Sequence, residues 1–461
     1  MIKIRHLFKG LSDSPEFYGK MIKLALPIMV QNFISSFLNM IDTVMVGKLG
    51  EAEIAAVGLA NQYFLFFNMF MIGLSAGCSV FISQFWGKRD TKRIKGILGV
   101  GLGSMILISL GFMILGLLIP DKIIRVFNND PMIIDLGSGY LRTVLVSYLF
   151  AGMTCVYNFS LRSTGNTVQP MLISGMALIC NAFFNYVLIF GKFGLSAMGV
   201  TGAALATVIA RVVETSALMV MIYHGKGVLA ASFAELTDVS WEFVKKSYRT
   251  IIPVILNDIC WGLATMVYAA VYGRMGTQAV AAVQICNTVS NLFMVAIFGM
   301  SSAAAVMIGH SIGAGEYGLG KDYARRFSIL AVVIGVLLGL LLAAVSPWIL
   351  NIFNLSKQAR DYSQIILLII AAIFSIRVFD IILIVGILRG GGDARQGMFI
   401  EGFTMWFIGV PLTILGAFVF KLPIYTVYAL AIWEEVVKGI LGIIRLKSGR
   451  WINNVTHGME V

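Results

Sequence analysis

The chain has 461 residues, of which 58% are hydrophobic and 13% charged, with a formal net charge of +12. Soluble domains carry about 25% charged and about 45–50% apolar residues, so this chain has too little polar surface to cover itself in water. Its mean hydropathy of +0.88 agrees, and lipid is its solvent.

The apolar residues fall in twelve blocks, at 23–46, 54–85, 96–119, 132–160, 168–190, 198–223, 250–273, 278–311, 324–347, 362–388, 397–420 and 424–444. As helix, at about 1.5 Å per residue, each is long enough to cross ~30 Å of hydrocarbon. None alternates with period two, and AVVIGVLLGLLLAAV at 331–345 is apolar on every side. Backbone groups in lipid must be satisfied internally, which makes such blocks helices. The longest blocks predict tilt or protrusion. The expected fold class is an all-α integral membrane protein with twelve transmembrane helices.

The first twenty residues, MIKIRHLFKGLSDSPEFYGK, are basic and polar, so no cleavable signal peptide is expected. With the N-terminus inside, segments 1–23, 86–95, 161–167, 224–249, 312–326, 389–396 and the tail after 444 hold most of the 35 Lys and Arg residues. The clearest is GKRDTKRIK at 87–95. The positive-inside rule then puts both termini in the cytoplasm, with the chain in the cell (inner or plasma) membrane. Basic residues scattered over loops between spans argue against nucleic acid as a partner. The five cysteines lie inside apolar blocks at unrelated spacings and read as small buried hydrophobes, with no zinc or disulfide pattern.

The chain repeats itself. Residues 23–57 align with 249–283 at an offset of 226, placing Pro27 on Pro253, Gly47 on Gly273, Gly50 on Gly276, and the AAV at 55–57 on that at 281–283. One further residue of shift aligns LRSTGN (161–166) with LRGGGD (388–393). Six spans per half return the chain to its starting side, so the halves share one orientation and are pseudo-symmetric. The expected domains are an N-lobe at 1–223, a cytoplasmic connector at 224–249 with a short surface helix, and a C-lobe at 250–461 with a cytoplasmic tail. Parallel repeats of this kind are a transporter architecture with the substrate site at the repeat interface. Pro27 and Pro253, early in the first helix of each half, are either hinges or static kinks.

Ionisable residues within a bilayer are expensive, so each is a functional candidate until a partner neutralises it. Asp258 lies nine residues after Arg249 and Asp380 nine residues before Arg389, with both arginines read as inner helix ends. Nine residues is about 14 Å of helix, which places both acids at one level, where they share a cation or a proton. Alternatively, Arg377 pairs with Asp380 along the tenth helix, and Asp258 is a structural acceptor beside Asn257 and Trp261. Asp42 lies near the outer end of the first helix, where it is either functional or simply wet. Asn181 and Asn185, four apart on the fifth helix, share a face and offer amide oxygens to a hard cation, or else bond between helices. Arg211 and Glu214 read as a self-neutralising pair, and Glu401, Glu434 and Glu435 lack clear partners. Gln31, Gln284, Trp261 and Tyr268 are candidates to line a substrate cavity, since aromatic faces attract organic cations.

LALPIMVQNFISSFLNMIDTVMVGKLGEAEIAAVGLA, with ISQFWGKRD at 82–90, LRSTGNTVQPM at 161–171, NYVLIFGKFGLSAMGVTGAALATVIAR at 185–211 and FDIILIVGILRGGGDARQGM at 379–398, resembles multidrug and toxic compound extrusion (MATE) transporters of the MOP flippase superfamily. The resemblance covers nearly the whole chain in order. It implies two six-helix lobes around a central cavity and export of mostly cationic organic compounds in exchange for Na⁺ or H⁺. Asp42 matches the family's first-helix aspartate of an N-lobe cation site, Asn181 and Asn185 its fifth-helix companions, and Thr207 a sixth-helix one. Asn185 stands where some members carry aspartate. Asp380 matches the tenth-helix aspartate of a C-lobe site, and Asp258 stands near a seventh-helix position where relatives often have glutamate.

The expectation is a cation-coupled exporter, acting as a monomer, with no cofactor and no metal other than Na⁺ as coupling ion. The alternative is a lipid or lipid-linked saccharide flippase of the same superfamily, which a more basic cavity would favour. An enzyme would need a nucleophile–base or metal set such as H-E-x-x-H, and no such motif occurs.

Overall fold

The computed structural model describes residues 15–353 and 355–459, the side chains at 38, 39 and 352 excepted. The segment before Pro15 and the extreme C-terminus, both expected on the cytoplasmic side, lie outside the described residues. Twelve long helical segments follow one another: α1 Pro15–Gly47, α2 Glu51–Gly87, α3 Thr91–Leu118, α4 Pro131–Val144 with Val146–Ser163, α5 Val168–Phe190 and α6 Gly199–His224, then α7 Trp241–Gly273, α8 Thr277–Gly313, α9 Tyr317–Ile352, α10 Lys357–Leu388, α11 Ala394–Val419 and α12 Ile424–Lys447. Among the described residues there is no strand.

Ten of these helices are long and apolar enough to cross a membrane, and α4 makes eleven when its two halves, bent by 49°, count as one span. The twelfth, α12, carries Glu434, Glu435 and Lys438 mid-helix. The fourth block was expected to be a single helix; it is broken at Leu145. The 37 residues of α2 and of α8 exceed a bilayer's ~30 Å, as their long blocks predicted.

Local signals set the helix ends. Asp90 caps α3, accepting from the Arg93 amide at 3.2 Å and from Arg93 Nη1 at 2.9 Å. Asp130 caps α4, with Pro131 at its first position, where the missing N–H is not needed. Gly191 ends α5 in the left-handed conformation at φ 65°. Pro27 and Pro253 sit inside continuous helices. Wide π turns occupy Ile382–Leu388 of α10 and Met405–Gly409 and Leu415–Val419 of α11. In α11 they flank Pro411, which lacks a backbone donor.

The chain divides into two compact units, Leu26–Ile255 on the one hand and the residues up to Ala25 with Leu256–Val461 on the other. In the first, α2 packs on α3 and α4. Its interior holds Leu74, Ile82, Phe85, Ile97 and Met105, with Phe67 stacked on Tyr148 at 4.7 Å. Small residues bring the backbones close: a Cβ on Gly77 would lie 2.9 Å from Ile251 Cα, and one on Gly73 2.7 Å from Ile255 Cα. In the second unit α9 packs on α10 and α8 on both, around Phe327, Ile366, Phe374 and Ile387. Trp451 of the tail is buried against Gly391, and the Asn453 amide donates to Gly391 O at 2.7 Å.

Between α6 and α7 the five-residue helix Phe233–Thr237 begins in a capping box of Ser232 and Glu235. It is fixed to α3 by Lys95–Glu235 at 2.7 Å and Lys92–Asp238 at 3.0 Å. This is the short connector helix expected from the sequence, and α7 then starts at Trp241.

Candidate functional site

In the Leu26–Ile255 unit, α1, α5 and α6 bring Asp42, Asn181, Asn185 and Thr207 into one neighbourhood. Asn185 Nδ2 donates to Asp42 Oδ1 at 2.6 Å and to Asn181 Oδ1 at 2.8 Å. Two acceptors on one side fix which way the amide stands. Asn181 and Asn185 are buried, and Asn185 Oδ1 has no hydrogen-bond partner. The Thr207 hydroxyl donates to Ala203 O at 3.1 Å. Tyr140 of α4 lies within electrostatic reach of Asp42 and beside Thr207. A carboxylate, two amide oxygens and a hydroxyl form an oxygen-rich set of the kind hard cations prefer.

Four helices of this unit are tied by a polar chain. Arg162 Nη2 donates to Gln31 Oε1 at 2.7 Å, Gln31 Nε2 to Ser174 Oγ at 2.8 Å, and Ser174 Oγ to Glu214 Oε1 at 3.1 Å. Arg211 closes it on Glu214 Oε2 at 2.7 Å, the pair expected from their spacing. Gln31, a cavity candidate, is therefore buried with both ends of its amide occupied. Arg162, counted with an inner loop, ends a helix and spends its charge inside the protein.

The other unit repeats this motif. Arg389 Nη2 donates to Asn257 Oδ1 at 2.6 Å, and Asn257 Nδ2 to Glu401 Oε2 at 2.6 Å. Arg162, Gln31 and Ser174 become Arg389, Asn257 and Glu401 at offsets of 227, 226 and 227. The same offsets carry Arg211 onto Lys438, Thr207 onto Glu434 and Asp42 onto Tyr268. Sequence reasoning missed Lys438 as part of a site, and this repeat register is the signal that finds it.

Two expectations need correction here. Asp258 does not share a site with Asp380: it is ion-paired to Arg389, which is 8% exposed and so does not mark a watery helix end. Asp380 lies nine residues before Arg389 on α10, about 14 Å of helix, and has Glu435, Lys438 and Glu401 as its charged neighbours instead. Arg377 does not pair with Asp380 either; its ion-pair partner is Glu435 at 3.8 Å. Trp261 is half exposed, Gln284 is exposed, and the Tyr268 hydroxyl is buried near Glu434.

Asp380 is 2% exposed, and neither carboxylate oxygen has a hydrogen-bond partner. It lies beside Glu435, with Lys438 and Glu401 within electrostatic reach. Lys438 Nζ stands 3.8 Å from Glu401, 3.9 Å from Glu434 and 3.7 Å from Glu435, beyond hydrogen-bond length from each.

Apolar helices in two sequence repeats, each burying ionisable side chains at corresponding positions, define a polytopic membrane transporter. The MatE family profile matches residues 27–187 and 253–415, more than half of the chain, beginning in each repeat at its proline. The chain belongs to the MatE family, whose members are transporters and not enzymes. It is 27% identical over 451 residues to the probable multidrug resistance protein NorM of Thermotoga maritima, covering 96% of each chain. To the uncharacterized transporter YisQ of Bacillus subtilis it is 24% identical over 432 residues, covering 94% of each. Its fold is similar to a MATE structure in the bent conformation (TM-score 0.86, 19% identity, 94% of this chain and 96% of that one). It is likewise similar to a MOP superfamily transporter from Pyrococcus furiosus (TM-score 0.84, 20% identity, 94% and 96%).

Proposed function

We propose that this membrane transporter is a secondary antiporter that exports small, mostly cationic organic compounds in exchange for Na⁺ or H⁺. The printed names of its NorM relatives support multidrug substrates. The observation that carries the coupling is the Asp42–Asn185–Asn181 arrangement, a carboxylate pre-oriented by an amide whose own oxygen is buried and unpartnered. An incoming cation neutralises Asp42 and takes up that oxygen. A cationic substrate needs the same negative charge, so ion and cargo favour opposite states, and each shifts the population only by its differential affinity. Asp380 is the coupling acid of the second repeat, buried with neither oxygen hydrogen-bonded, and Pro27 and Pro253 are the hinge positions of alternating access. The protein works as a monomer in the cell membrane with both termini cytoplasmic, as its Lys and Arg distribution supports.

Reconstitution tests this. Ethidium efflux from proteoliposomes should accelerate under an imposed Na⁺ or pH gradient and lose that acceleration in D42N. Efflux indifferent to both gradients would remove the antiporter reading.

A further inference from the structure

Two large aromatic side chains project from the connector: Phe233 is 81% and Trp241 79% exposed. The connector helix lies along the inner end of α3, and its contacts fix its level. Asp238 pairs with Lys92 and Glu235 with Lys95. A Cβ on Gly96 would lie 3.0 Å from Val239 Cγ1, and one on Gly99 would overlap Leu236 O. The contacts therefore run deeper along α3 as the connector is followed back towards Phe233. Lys95 is the last charge before the apolar block at 96–119, and Gly99 is four residues, about 6 Å of helix, beyond it. Interfacial helices bury their apolar face about 5–10 Å into the boundary between headgroups and acyl chains.

The α3 face that carries the connector continues as apolar surface. Lys92, Lys95, Gly96 and Gly99 are followed at helical spacing by Leu107, Leu110, Ile114 and Leu118, all exposed. In a chain solvated by lipid such a face meets acyl chains, so the connector covers the inner end of a lipid-facing surface. Charge agrees with that place. In α7, Trp241, Lys245 and Arg249 recur every four residues on one exposed face, with the exposed Ile252 next along it. Arg89, just before α3, and Lys226, just after α6, are exposed too. The acids of these segments, Asp90, Glu235, Asp238 and Glu242, are each already in an ion pair, with Arg93, Lys95, Lys92 and Lys246. Beyond those pairs Arg89, Lys226, Lys245 and Arg249 add positive charge, the complement of anionic headgroups.

We propose that the connector is a membrane anchor: Phe233 and Trp241 seat among the acyl chains of the adjoining leaflet, and Arg89, Lys226, Lys245 and Arg249 hold the phosphates of anionic phospholipids. The Lys92–Asp238 and Lys95–Glu235 pairs keep the helix on α3 while its aromatic side faces lipid. The inference goes beyond antiport and depends on neither the coupling ion nor the orientation of the chain.

Full-length protein in nanodiscs of phosphatidylcholine and phosphatidylglycerol tests both parts, and since a nanodisc exposes both faces, neither orientation nor transport enters the readout. Acyl chains brominated near the headgroup quench any tryptophan they touch. The wild type should lose more fluorescence to them than W241F. F233W, which adds a reporter at an exposed position, should lose more than the wild type, and it keeps the test decisive should W241F fold poorly. Phosphatidylglycerol should stay bound through detergent extraction in preference to phosphatidylcholine, and K245Q/R249Q should lower that preference by about tenfold. Equal quenching of the wild type, W241F and F233W overturns the anchor. Acrylamide that quenches Trp241 where brominated lipid does not would place the connector in water, and shielding from both quenchers would place it under protein; each overturns the proposal. Equal retention of the two lipids by the wild type overturns the headgroup contact.

Discussion

Arg389 of α10 closes on Asp258 of α7, the two side chains 9% and 18% exposed, and the same guanidinium holds Asn257 Oδ1 at 2.6 Å. The contact welds α7 to α10 and removes Asp258 from the set of free intramembrane acids. Removing one partner of a buried pair leaves the other charge uncompensated, at a cost of about 3–5 kcal/mol. D258N should therefore lower the melting temperature of the detergent-solubilised protein markedly, whereas D380N should lower it less or leave it unchanged, since no hydrogen-bond donor holds the Asp380 carboxylate. Melting curves that order the two variants the other way would contradict these assignments.

Asn185 is the amide on which the first-repeat site depends. Replacing it with Leu removes both of its hydrogen bonds, to Asp42 at 2.6 Å and to Asn181 at 2.8 Å. A hydrogen bond to a charged group contributes about 1.5–3 kcal/mol, so ion affinity should fall by about tenfold or more. Ion-dependent protection of the purified protein against thermal unfolding reports it, and full protection in N185L would exclude Asn185 from the site.

Helix contact in the first unit depends on Gly77. A methyl there would need the space of Ile251 Cα, 2.9 Å away, and backbone does not yield as a side chain does. G77A should destabilise by about 1–3 kcal/mol. G103A is the control, with nothing within 4 Å of its added Cβ, and should stay within about 0.5 kcal/mol of the wild type.

The connector helix should respond to acid. The Lys95 hydrogen bond and the Ser232 cap hold the Glu235 carboxyl below its usual range. A depressed folded value means that the attachment is at full strength above the ordinary carboxylate range and weakens as pH falls through the folded value. Amide protection factors of residues 231–239, corrected for the intrinsic pH dependence of exchange, should fall at low pH, and K95A should show the lower protection already at neutral pH. Exchange that stays slow in K95A would mean that the apolar contacts with α3 hold this helix by themselves.

Much of the architecture can be read from the residues. Block length and apolarity give the long helices, and the matched Pro27 and Pro253 give the repeat. The four-residue spacing of Asn181 and Asn185 gives their common face. The ion pairs were harder because they join distant segments: Arg389 reads as a loop-end cation by position, and only the α7–α10 contact shows that it is buried on Asp258. Glu434 and Glu435 read as acids without clear partners, although Lys438 stands four and three residues beyond them on the same helix. The acids around Lys438 include Asp380 and Glu401 on other helices, which no local pattern reveals.

Competition between ion and cargo on the purified full-length protein tests the central claim most directly, with ethidium binding followed by fluorescence as Na⁺ rises or pH falls. Ethidium affinity should decline with at least one of the two ions in the wild type, and that decline should vanish in D42N. Affinity that ignores both ions in the wild type, or a decline that survives intact in D42N, would contradict the account.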